Sequence, residues 1–174
     1  MVGRTDSAGI TEIGVGLISV GWMGKLHSRA YQAIPLVYPE LKIRPRLIHA
    51  ADTAADRADY ARDVLGYAKG STDYRAVLAD PDVDIVSICA PNLLHKEIGI
   101  AAAQAGKPFW IEKPVGRDAA DTAAVAAAAQ TAGVATSIEN GLPVCAAAIP
   151  ISLCSRFGAQ IDTMSTSGSA STAR

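Results

Sequence analysis

Between Ile13 and Ser137, short unbroken apolar runs alternate with alanine-rich segments studded with charges. Runs without polar alternation mark strands covered on both faces, and the segments between them carry helical spacing. The pattern predicts parallel strands at Ile13 to Val20, Arg46 to Ala51, Ile85 to Ala90, Pro108 to Ile111 and Val134 to Ser137. Helices are expected at Met23 to Ala33, Ala55 to Leu65, Tyr74 to Ala79, Leu93 to Ala105 and Asp118 to Ala132. In the first of these, Met23, Leu26, Ala30 and Ile34 share one face, the expected contact with the sheet. Gly106 and Gly133 stand where helix stops are wanted, and the run DPDVD at 80–84 reads as the turn feeding the third strand. Strands alternating with helices give an α/β class, a doubly wound parallel sheet with helices on both faces. Residues 1–12 read as an N-terminal extension and 13–138 as the domain. From 139 to 174 the pattern is lost: Pro143, Pro150, a CAAAI patch and a Ser/Thr/Ala/Gly-rich end predict an irregular or disordered tail.

Composition narrows the class. The 174 residues suit one core domain plus an appendage, about half are apolar, and the net charge of −1 offers no basic track for nucleic acid. No apolar run approaches the roughly 20 residues of a membrane span, and Met1 to Glu12 lacks the apolar core of a signal peptide. Cys89, Cys145 and Cys154 are an odd number without metal-ligand or disulfide spacing, so a reducing cytoplasm is expected and no metal site is supported.

Candidate chemistry begins with GVGLISVGWMG, residues 14–24, which holds two overlapping near-copies of the dinucleotide fingerprint GxGxxG. One copy uses Gly14, Gly16 and Ser19; the other uses Ser19, Gly21 and Gly24. The fingerprint needs a buried strand ending at its first position and a helix opening near its third, because the pyrophosphate rests on free N–H groups at the helix N-terminus. Only the second copy has an apolar strand before it and an amphipathic helix after it. Gly14 and Gly16 are then strand glycines allowing close packing, Gly21 admits the pyrophosphate and Gly24 packs the helix. Ser19 replaces the glycine of the tight turn and is tolerable if the turn keeps negative φ. A Walker loop ending at Gly24-Lys25 fails, since Ser19 and Leu26 occupy its glycine and magnesium-ligand positions. Asp52 ends the second strand, where a carboxylate accepts the adenosine ribose hydroxyls and favours NAD over NADP, although a helix cap explains it equally.

Further along come DYRAVLADPDVDIVSICAPNLLH, residues 73–95, and GKPFWIEKPVG, residues 106–116. With VGWMGKLH these strongly resemble the N-terminal half of the glucose-fructose oxidoreductase, inositol 2-dehydrogenase and MocA-type oxidoreductase family, over roughly Ile13 to Ser137. The resemblance implies a Rossmann-like fold and an NAD- or NADP-dependent dehydrogenase acting on a secondary alcohol of a sugar, polyol or related compound. It implies that Ser19, Gly21, Trp22 and Met23 line the pyrophosphate and Asp52 the ribose. Ala90, Pro91, Asn92 and His95 would lie against the nicotinamide side, with Glu112 and Lys113 at the same sheet edge. His95 reads equally as a helix cap.

Lys113 is the expected catalytic residue, its ammonium hydrogen-bonding the substrate oxygen as negative charge develops there; a solvated surface lysine is the alternative. The resemblance also implies that Pro114 follows a cis peptide. His27 and His49 have no partner at triad spacing and read as a helix-surface and a strand histidine, and Trp110 reads as core. Members of the family carry a second domain that supplies substrate contacts, the oligomer interface and an aspartate/histidine pair. That domain is not legible after Glu139, although GAQID at 158–162 resembles the linker into it. The tail reads as a truncation or a shifted reading frame, which puts turnover by this chain alone in doubt, makes a non-catalytic dinucleotide-binding module or an inactive fragment the alternative, and predicts self-association through a bare face.

Overall fold

The computed structural model describes residues 3–138 and 143–144. Eight strands form one sheet: β1 (Arg4–Thr5), β2 (Thr11–Ile18), β3 (Ile43–Ala51), β4 (Lys69–Ser71), β5 (Ile85–Ile88), β6 (Phe109–Ile111), β7 (Thr136–Ile138) and β8 (Pro143–Val144). The helices are α1 (Trp22–Val37), α2 (Ala55–Asp63), α3 (Tyr74–Ala79), α4 (Asn92–Gln104) and α5 (Ala119–Ala132), with a short 3₁₀ turn at Pro39–Leu41. The sheet order is β4-β3-β2-β5-β6-β7-β8, with β1 beside the start of β2. All pairings from β4 to β7 are parallel, while β1 and β8 join antiparallel. This is a Rossmann-like doubly wound sheet. Its strand order reverses between β2 and β5, which opens a crevice at their carboxyl ends.

The sheet starts before Ile13. Thr11 and Glu12, read from the sequence as extension, open β2, and Arg4 pairs with Glu12 across β1. Asp84 fastens this end, its carboxylate accepting the Gly3 and Gly14 N–H groups at 3.1 and 2.7 Å. The strand β4 was not visible in the pattern, because Lys69, Gly70 and Ser71 form a three-residue edge without an apolar side chain. Pro143 and Val144 form a two-residue strand on β7, and the remainder of the expected irregular tail, with Cys145, Cys154 and residues 158–162, lies outside the described residues.

Each face of the sheet has its own core. Ile18, Val77, Val86, Ile88, Ile98 and Ile111 belong to the larger one, beneath α3, α4 and α5, while Leu17, Val20, Ala50, Ala61, Leu65 and Tyr67 form a smaller one with α2. β2 sends Leu17 into one core and Ile18 into the other, whereas β5 gives Val86 and Ile88 to the larger core and turns Ser87 toward polar groups of α1; each fully buried Val or Leu contributes roughly 1.5–3 kcal/mol. Gly16 permits the close seat of α3: a Cβ there would meet Val77 Cγ1 at 2.6 Å and Val83 Cγ1 at 2.9 Å. Gly106 and Gly133 take φ of +68° and +65° just beyond α4 and α5, where the pattern put helix stops.

The first helix presents a different face from the expected one. Leu26 and Ala30 are exposed, and the buried positions are Gly24 and Ser28. The cause is the turn before it. Gly24 packs directly on the Ser19 carbonyl, where a Cβ would collide, and this rotates small and polar positions toward the sheet. Ser28 stays satisfied there, donating to the Gly24 carbonyl at 2.7 Å and meeting Tyr67 Oη at 3.2 Å. Among the described residues no helix is long and apolar enough to cross a membrane.

Candidate functional site

At the reversal point β2 runs into the turn Ser19 to Gly21, and Trp22 opens α1. Gly21 is the N-cap and no side chain caps it, so the first-turn N–H groups face the crevice without a side-chain acceptor. A Cβ on Gly21 would meet nothing nearer than Ser19 Oγ at 3.9 Å, so the residue leaves the surface open to an approaching group. An uncapped helix N-terminus behind an open glycine suits a phosphate by charge and by donors. Trp22 extends into solvent with 75% of its surface exposed, and Met23 is half-buried beside it.

Ser19 corrects the sequence reading. Its φ is +76°, in the left-handed region that favours glycine, so the turn retains the fingerprint's conformation although the residue has changed. Its hydroxyl lies 3.5 Å from Asp52 Oδ2, at the outer limit of a hydrogen bond. Asp52 is the anchor of this loop. Oδ2 accepts the Val20 N–H at 2.8 Å, Oδ1 accepts the Ala54 N–H at 3.1 Å, and Arg57 Nη1 stands 4.0 Å away. Asp52 is not the N-cap of α2, which is Ala54. It braces the turn into α2, and it stands at the end of β3 beside the Ser19 to Gly21 turn, with a second lone pair on each oxygen.

The other half of the edge comes from β5 and β6. Ala90 is buried; Pro91 and Asn92 are exposed at the start of α4, which also lacks a side-chain cap. His95 is fully buried. Its ring nitrogens stand 2.6 Å from the Ala90 carbonyl oxygen and 2.7 Å from the Pro114 carbonyl oxygen, so it ties the end of β5 to the turn after β6. The ring does not line the crevice and does not cap its helix. Glu112 is also buried, whereas Lys113 is exposed at the turn, and the Lys113–Pro114 peptide is cis.

His27 was missed. Far from being a helix-surface residue, it has 12% of its side chain exposed and bridges β5 and the turn after β6, with Nδ1 3.1 Å from Ser87 Oγ and Nε2 2.7 Å from Glu112 Oε1. The available signal was its spacing from Tyr31, four residues on, which places both on one helix face. Trp110, read as core, is 40% exposed and meets the His27 ring edge-on at 5.5 Å between centroids. His27, Cys89 and Glu112 bring three potential metal-ligand atoms within 4.8 Å of one another. Two ligands on one tetrahedral zinc stand roughly 3.3 Å apart, given its bond lengths. The 2.7 Å between His27 and Glu112 is instead a hydrogen-bond distance. His49 is a buried strand histidine whose Nδ1 lies 3.0 Å from Asp80 Oδ2, in a pair that Lys69 joins at 2.8 Å.

Comparison with known proteins agrees with this fold. Residues 13–140 match the model of an oxidoreductase family with an NAD-binding Rossmann fold, the glucose-fructose oxidoreductase, inositol dehydrogenase and MocA group. The chain belongs to that family. It is 41% identical over 116 residues to the levoglucosan dehydrogenase of Pseudarthrobacter phenanthrenivorans, covering 65% of this chain and 29% of that protein. It is 30% identical over 108 residues to the myo-inositol 2-dehydrogenase of Thermotoga maritima, covering 62% of this chain and 30% of that protein. Among solved structures it is similar to a levoglucosan dehydrogenase in complex with NADH, with a TM-score of 0.70, 35% identity, and 73% of this chain and 34% of the other covered. An NAD-binding oxidoreductase from Klebsiella pneumoniae gives a TM-score of 0.69 and 38% identity over 73% of this chain and 34% of the other. The family member described here thus spans about a third of the length of these relatives.

Proposed function

We propose that this chain is the cofactor-binding portion of a dehydrogenase that exchanges hydride between a nicotinamide dinucleotide and a secondary alcohol of a sugar, polyol or related compound. The carrying observation is the open, uncapped N-terminus of α1 behind Gly21, at the strand reversal and on the same edge as Lys113. The N–H groups of Trp22, Met23 and Gly24 hold the pyrophosphate, with Ser19 shaping the turn beneath it. Asp52 accepts a ribose hydroxyl with its remaining lone pairs, which favours NAD over NADP because a 2′-phosphate would meet its charge. Ala90, Pro91 and Asn92 flank the nicotinamide end, and His95 holds that wall in place from behind. Glu112 sits behind the same edge and Lys113 in front of it.

The bound cofactor supplies the hydride acceptor. Lys113 hydrogen-bonds the substrate oxygen and stabilises its developing negative charge. Substrate class follows from the relatives, which are dehydrogenases of levoglucosan and inositol. The chain spans about a third of the length of such proteins, and a cofactor-binding module without turnover is the second reading.

Titration of the purified chain with NADH and with NADPH, read by quenching of the exposed Trp22, tests the binding claim. Saturable quenching with NADH at lower concentration than with NADPH is expected, and no saturable signal with either refutes it. Reduction of NAD with a panel of polyols then separates the enzyme from the module.

A further inference from the structure

The polar side chains beneath α1 form a chain that the cofactor reading leaves unused. Tyr31 Oη and Ser87 Oγ stand 2.9 Å apart, Ser87 Oγ and His27 Nδ1 3.1 Å, and His27 Nε2 and Glu112 Oε1 2.7 Å. One proton arrangement satisfies every link. Tyr31 donates to Ser87, Ser87 donates to Nδ1, and the Nε2 N–H donates to the Glu112 carboxylate. Burial pushes the Tyr31 hydroxyl up to about 12, so at neutral pH it keeps the proton it donates.

Glu112 needs such a donor. Only 6% of it is exposed, and a buried carboxylate without a partner turns out to water or carries a penalty of several kcal/mol. The backbone of Glu112 is fixed as well, its N–H donating to the Ile88 carbonyl at 3.0 Å. The next residue is Lys113. On the helix side, His27 lies in the second turn of α1, the helix whose first turn faces the crevice. The two halves of the site therefore meet through one imidazole.

We propose that His27 is a positioning residue, which holds Glu112 against α1, fixes the backbone from which Lys113 departs, and so couples cofactor docking at the helix end to the placement of Lys113. The proposal rests on the cofactor reading only for its last step. A merely structural histidine would lower stability and leave the ionisation of Lys113 and its response to NADH unchanged.

The test uses the intact chain with its lysines converted to ¹³C-dimethyl-lysine, and the Lys113 methyl signal identified by its loss in Lys113→Arg. The signal is followed against pH, with and without NADH, in the parent, His27→Leu and His27→Gln. The glutamine amide can still donate to Glu112. Without NADH, the midpoint of the Lys113 signal in His27→Leu should move by at least about 0.3 pH units, and His27→Gln should restore it. With NADH, the parent signal should shift, His27→Leu should lose that shift and His27→Gln keep it, while NADH affinity stays within about threefold.

Identical midpoints and identical NADH shifts in all three proteins overturn the proposal. If the parent fails to bind NADH, the cofactor reading fails on its own, and the midpoints alone still decide the role of His27. Should His27→Leu not fold, His27→Asn, too short to reach Glu112, takes its place with the same two outcomes.

Discussion

Ser19→Gly should stabilise this protein, although it deletes a side chain that touches a buried carboxylate. Ser19 is held at φ +76°, a conformation that costs an L-residue roughly 1–2 kcal/mol and glycine almost nothing. Against this relief stand two losses. The greater freedom of glycine in the unfolded chain costs about 0.4–1 kcal/mol. The hydroxyl contact to Asp52, at 3.5 Å, is too long to be worth more than about 0.5 kcal/mol. The balance is a gain of about 0.5 kcal/mol, or roughly 1–3 °C in the melting temperature of a domain of this size. Ser19→Ala separates the terms. It loses the same contact and keeps the strain, so it should melt below the parent. Thermal unfolding of all three, followed by circular dichroism, reads the difference. If Ser19→Gly falls as far as Ser19→Ala, the hydroxyl governs this turn and the argument from φ is wrong.

Other consequences follow from the same contacts. Gly24→Ala should destabilise by about 1–3 kcal/mol, because the added methyl collides with the Ser19 carbonyl, and it should weaken NADH binding; unchanged denaturant midpoint and affinity would contradict the packing. Asp52→Ser should narrow the preference for NADH over NADPH in paired titrations and lower the melting temperature, because the Val20 and Ala54 N–H groups lose their acceptor; an unchanged preference would leave Asp52 a brace only. Hydrogen bonds from Arg117 and Lys96 hold the Asp121 carboxyl well below the usual range. A depressed carboxylate adds stability that is present above its unfolded pKa, near pH 4, and is lost as pH falls. Asp121→Asn should therefore flatten the acid limb of the stability profile below about pH 4 and leave its shape at neutral pH unaltered.

What could be read from the residues, and what could not, divides along physical lines. The inner strands were legible from their apolar runs, as in Leu17-Ile18 of β2, and β5 was legible from Ile85-Val86 and Ile88 in spite of the buried Ser87 between them. The helices α3 and α5 were legible from their helical spacing, and in the structure Asp73 and Asp118 cap them by accepting N–H groups of the first turn. The edge strand β4 was not, since its Gly70 answers to the Ala58 carbonyl of α2 and not to a hydropathy pattern.

The site followed the same division. The glycine turn, Asp52 and the Glu112-Lys113 pair were visible as local motifs at strand ends. The inward face of α1 was not, because the close approach of Gly24 to Ser19 sets its rotation and overrides the apolar stripe of Met23, Leu26, Ala30 and Ile34. His27 was lost with it. Its partners Ser87 and Glu112 lie 60 and 85 residues away, and no local spacing reports a contact of that range. His95 was assigned to the crevice by its place at the end of β5, and its burial between two carbonyls is a property of the β6 turn.

The central claim is that a dinucleotide phosphate rests on the first turn of α1. Amide NMR of the ¹⁵N-labelled chain during NADH addition tests it at the atoms concerned. The N–H signals of Trp22, Met23 and Gly24 should move furthest and saturate together, and Gly21→Val should abolish the movement while the fold is retained. Saturating shifts confined to other parts of the chain, with the α1 amides still, would contradict it.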